Sequence, residues 1–160
     1  MRILAAITLA LACSSAGYAA EPPSALDRLL VQVEKEQPAV QWDAKSVKFG
    51  NFEGDGQSGI ALLGVKQHSL YLVVAHASMG GSFATQYLNF AISANEQAAI
   101  CALPARIEAY PLQCTSDGGN TLPGCIMSSG ASVLSIVDDQ CDPINVYWNH
   151  NDKHLAWWRN

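Results

Sequence analysis

The sequence predicts an α+β domain: an N-terminal helix packed on a mostly antiparallel β-sheet and braced by disulfides. Three observations predict it. Leu26, Leu29, Leu30 and Val33 recur at helical spacing near the start of the chain. From Val47 onward the apolar runs are short, β-rich and separated by turn residues. Four cysteines, Cys101, Cys114, Cys125 and Cys141, fall in the second half, an even number that reads as two bridges.

The helix is expected over residues 24–36. Ser24 supplies the N-cap, Asp27 stands where a capping box places its acidic residue, and Pro38 stops the helix. Gln41, Trp42 and Asp43 then read as a short connection with Trp42 packed inside. Residues 60–65 and 70–75 are apolar runs joined by the polar 66–69, which is a hairpin signal. Residues 79–82 read as a loop and 86–92 as another strand. The stretch 95–102 is ambiguous between a helical turn and irregular chain, and 115–120 reads as a flexible loop. The last three expected strands are 133–137, 144–149 and 154–159, the final two joined by a turn at 149–153.

The first twenty residues read as an export signal. Arg2 is a short positive region, 3–12 is an apolar stretch too short to span a bilayer, and Gly17, Tyr18 and Ala19 fit a small-x-small cleavage site. A lipoprotein acylated on Cys13 is the competing expectation. Removal of residues 1–20 leaves 21–160, a length suited to one domain. It also takes Lys+Arg from 9 to 8 against 14 Asp+Glu, a net charge of −6. That balance argues against nucleic acid and anionic membranes as partners and suits a basic protein. The expected location is the periplasm or the exterior, with no transmembrane segment. The four mature cysteines allow three pairings. Cys101–Cys114 and Cys125–Cys141 are favoured because short loops close at the lowest entropic cost. No C-x-x-C pair points to zinc.

Residues 47–64, VKFGNFEGDGQSGIALLG, raise the question of a metal. The stretch resembles one FG-GAP unit, the strand–loop–strand element of integrin-type propellers. The resemblance implies Ca²⁺ held by Asn51, Glu53 and Asp55, with Gly56 at the turn. The Asp that closes the family's site falls on Gly59, which has no side chain. The residues by themselves read as a tight, glycine-rich turn between two strands that needs no metal for folding.

Among the other candidates, His150 and His154 are four apart, a metal pair on a helix but hairpin ends on strands. No G-x-S-x-G, H-E-x-x-H or P-loop pattern occurs. Tyr147, Trp148, Trp157 and Trp158 crowd the C-terminal hairpin beside Arg159. Alternate residues of a strand face opposite sides. One side is core, and the other is either covered or a partner-binding face that these residues would anchor.

Three functions fit. The first is an exported binding protein that neutralises a protein partner. In size, export and cysteine usage the chain is similar to small periplasmic immunity proteins and lysozyme inhibitors. The second is a hydrolase of envelope polymers, for which the sequence yields no catalytic set. The third is a calcium-dependent adhesion or structural module, which rests on the 51–59 loop.

Overall fold

The structure, a computed structural model, describes residues 23–159 except Met79 and Asn95. The expected export signal with Cys13, and Met79 of the 79–82 loop, lie outside the described residues. The chain forms one helix, α1 (Ala25–Glu36), and nine strands: β1 (Gln41–Gly50), β2 (Gly59–Lys66), β3 (Ser69–Ala77), β4 (Phe83–Ile92), β5 (Ala99–Ile100), β6 (Arg106–Pro111), β7 (Ser132–Val137), β8 (Ile144–Asn149) and β9 (His154–Trp158). The strands make two sheets, ordered β1-β2-β3-β4-β5 and β6-β7-β8-β9. The α+β expectation of one helix on one sheet is therefore corrected. The protein is mostly β, and its main core lies between two sheets.

Strand alternation builds that core. Ala61, Leu63, Leu72, Val74 and Phe90 of the first sheet meet Ile107, Leu134, Ile136, Ile144, Val146 and Leu155 of the second. Their neighbours in sequence face outward, so each sheet has a second apolar face that needs a cover. On the first sheet the cover is α1. Leu29 and Val33 are fully buried against Ile60, Leu62, Val73, Ala75 and Phe83. Ser24 accepts from the Asp27 amide and Asp27 returns the bond to the Ser24 amide, a complete capping box. Gln32 donates to and accepts from the Phe83 backbone at 2.9 Å each, which fixes the helix on β4.

On the second sheet the cover is the chain between β6 and β7. Leu112, Leu122 and Ala131 close over Val133 and Tyr147. The Tyr147 hydroxyl donates to the Pro123 carbonyl at 2.9 Å. Gly124, at φ 63°, passes so close to Asn149 that a Cβ there would overlap its side-chain amide.

Two expected details are corrected. The favoured disulfide pairing gives way to a nested one, Cys101–Cys141 and Cys114–Cys125, with Cα separations of 6.0 and 5.5 Å. Loop entropy ranks pairings in an unstructured chain. Here Cys101 follows β5 and Cys141 follows β7, and the folded strands bring these two ends together. Asp138 supports the junction, accepting from the amides of Cys101 (2.6 Å), Gln140 (3.0 Å) and Cys141 (2.9 Å). The second detail is the segment at Gln41, Trp42 and Asp43, which is the start of β1 and not a connection. A register shift between Asp43 and Lys48 breaks its alternation.

Candidate functional site

The loop between β1 and β2 sits at the seam where the first sheet meets the second. Asn51 bridges to Ala131, and its carbonyl accepts from the Ser132 amide at 2.9 Å. Ser128 donates to the Gly54 carbonyl at 2.8 Å. Gly54 (φ 74°) and Gly56 (φ 85°) occupy the left-handed region that the turn requires.

The three residues assigned to Ca²⁺ by resemblance are spent on other contacts or poorly placed for it. Glu53 Oε1 lies 2.8 Å from His76 Nδ1 on β3. Asp55 Oδ1 accepts from the Gln57 amide at 2.9 Å, tying the loop to itself. Asn51 Oδ1 is buried without a hydrogen-bond partner. Calcium takes about six to eight oxygens. Among the described residues no group of three or more His, Cys, Asp or Glu side chains is arranged to hold a metal. The residues present do not fit the ion, and an imidazole stands where the loop's charge would meet it. Burial is the largest influence on Glu53 and holds its carboxyl above the ordinary value of 4.5. The neighbouring Asp55 adds to this, against the opposing pull of His76 and His150.

The aromatic residues of the C-terminal hairpin divide between the two faces of the second sheet. Trp148 packs, half-buried, against the core between the sheets. Trp157 stands on that same side at its edge, 39% exposed, with its ring 5.9 Å from Phe90. Tyr147 and Trp158 point outward, 5.6 Å apart and edge to face; Tyr147 lies under the 112–131 cover, while Trp158 at its side is only half-buried. Tyr147 is only 4% exposed, so it is packing and not an anchor. Arg159 donates to the Gln97 carbonyl at 3.0 Å. His150 and His154 are ends of the β8–β9 turn, and His154 Nδ1 meets the Leu155 carbonyl.

A different face is open. Among the described residues seven large apolar side chains are exposed: Val31, Phe49, Leu103, Tyr110, Ile126, Met127 and Trp157. Phe49 (58% exposed), Tyr110 (49%) and Met127 (63%) line one groove of about 450 Å³, floored by Ala109, Leu112 and Ala131. Ile126 adjoins it in sequence. The groove runs along the seam, where β1 passes beside β6. Sequence reasoning missed all three residues. They lie far apart in the chain, and each is an ordinary strand or loop residue where it stands.

A scan of protein-family models, a search of curated proteins and a search of solved structures each returned no match.

Proposed function

We propose that this chain is an exported binding module of the cell envelope that engages a protein partner, in the manner of an inhibitor or immunity protein, through the seam face around Phe49, Tyr110 and Met127. The observation that carries the reading is the clustering of three of the seven exposed large apolar side chains on one groove. Contiguous exposed apolar surface rimmed by polar residues marks interaction sites, and Phe, Tyr and Met are enriched where proteins meet. Two disulfides support an oxidising location. Among the described residues no helix is long and apolar enough to cross a membrane. The charge of the exported form, −6, favours a basic partner.

The test compares captures from envelope extract by the oxidised wild type and by the double variant Phe49→Asp, Met127→Asp. A partner seated on this face is retained by the wild type and lost from the variant, with affinity reduced about thirtyfold or more for loss of a central anchor. Both side chains are exposed, so the variant keeps its stability to within about 0.5 kcal/mol. Equal capture of the same protein by both forms would rule the face out.

A further inference from the structure

The outer face of the second sheet carries another recess of different chemistry. Strand register places Tyr110 opposite Val133 and Asn145 opposite Trp158, all on that face. Trp158 walls two adjoining clefts. One, of about 320 Å³, is lined by Tyr110, Gln113, Thr115, Asp117, Asn145 and Trp158. The other, of about 480 Å³, is lined by Ser116, Asn120, Thr121, Trp158 and Arg159. Each volume lies in the range of about 300–1,000 Å³ usual for small-ligand sites.

We infer that these paired clefts bind an uncharged oligosaccharide, with Trp158 as the ring on which a sugar packs. A sugar ring has an apolar C–H face and a rim of hydroxyls that both donate and accept. The clefts offer the matching pair: an indole, and around it amide and hydroxyl side chains that also donate and accept. One acid, Asp117, and one base, Arg159, balance in charge, so the walls call for a neutral ligand. The net charge of −5 opposes a polyanion. Pro111 and Val133 in the first cleft and Leu122 and Pro123 in the second add apolar wall beside the indole, surface of the kind a sugar's C–H face packs on.

The walls are preorganised. The Cys114–Cys125 bridge closes the loop that forms them, and Thr115 bridges to Thr121 across it. At the loop's tip the Ser116 amide donates to the Asn120 carbonyl at 2.9 Å, and the Gly119 amide to the Ser116 carbonyl at 2.8 Å. Tyr147, tied to Pro123, holds the edge of Trp158. A loop already held in place loses little freedom on binding.

The site shares Tyr110 with the seam groove but not Phe49 or Met127, so the two readings fail separately. The oxidised protein is titrated with chitohexaose, cellohexaose, maltohexaose and xylohexaose, followed by saturation-transfer NMR and tryptophan fluorescence. Saturable binding of at least one is expected. Trp158→Ala should weaken it about tenfold or more, and Trp158→Phe, which keeps a ring, by less. Should Trp158→Ala unfold, Asn120→Ala carries the test, since Asn120 is exposed and its loss should still weaken binding several-fold. The inference is overturned if none of the four sugars binds. It is also overturned if binding persists unchanged in Trp158→Ala, or in Asn120→Ala where that variant stands in.

Discussion

Asp138 shows how much one side chain holds at the junction of the sheets. It is 6% exposed and accepts three backbone amides beside the Cys101–Cys141 bridge. Burial, the largest single influence, raises its pKa. The amides of Cys141, Gln140, Cys101 and Ala102 together lower it further, leaving it below the ordinary 3.8. A depressed carboxyl pKa stabilises the fold above the unfolded value, and that stability is lost as pH falls through the folded value. Asp138→Asn turns an acceptor into a donor facing one of these amides. It should cost about 1–3 kcal/mol near neutral pH. In thermal melts the gap between wild type and variant should hold at neutral pH and narrow as pH drops below 3.8. A gap that widens in acid would refute this role. The sequence does not mark Asp138 as a junction: the Gln140 and Cys141 amides lie two and three residues on, but the Cys101 amide that joins it to β5 is 37 residues back. Ser24 and Asp27 stand at the other extreme. Their capping box was legible because both partners lie within one turn of helix.

The elements were read well where their signal was local. The hairpin of β2 and β3 matches the apolar runs at 60–65 and 70–75, and β7, β8 and β9 fall on their expected residues to within one position. β6 was missed although Arg106, Ile107, Glu108 and Ala109 alternate, because the run is short, ends at Pro111 and buries only Ile107. With β6 missing, the second sheet had no first strand and the strands read as one sheet. The disulfides follow the same lesson, since the pairing depends on which strand ends meet in space. On the chain-entropy account, bridges spanning 40 and 11 residues are worth about 4 and about 3 kcal/mol. Denaturant unfolding of Cys101→Ser, Cys141→Ser against Cys114→Ser, Cys125→Ser should show the larger loss for the first pair. The second pair's loss should fall on the 112–131 cover. The opposite order would count against the nested pairing.

At the scale of the molecule, two sheets need three apolar layers: one between them and one on each outer face. The helix and the stapled 112–131 chain supply the outer two. That arrangement explains why four large rings crowd β8 and β9, since both faces of this hairpin are built on. It also explains why the calcium loop resembled by residues 47–64 carries no fitting cage. The loop is a clasp between sheets, held by Ser128, Ala131 and His76. The seam it closes leaves Phe49, Tyr110 and Met127 uncovered, and partner binding there is the central claim. Site-specific photo-crosslinking tests it most directly, with benzoylphenylalanine placed at Tyr110 in one form and, as a control, at the 70% exposed Val31 on the helix in another. Illumination of envelope extract should yield a discrete protein adduct from position 110 and none from position 31. Adducts from position 31 alone, or none from 110 with the fold intact, would contradict it.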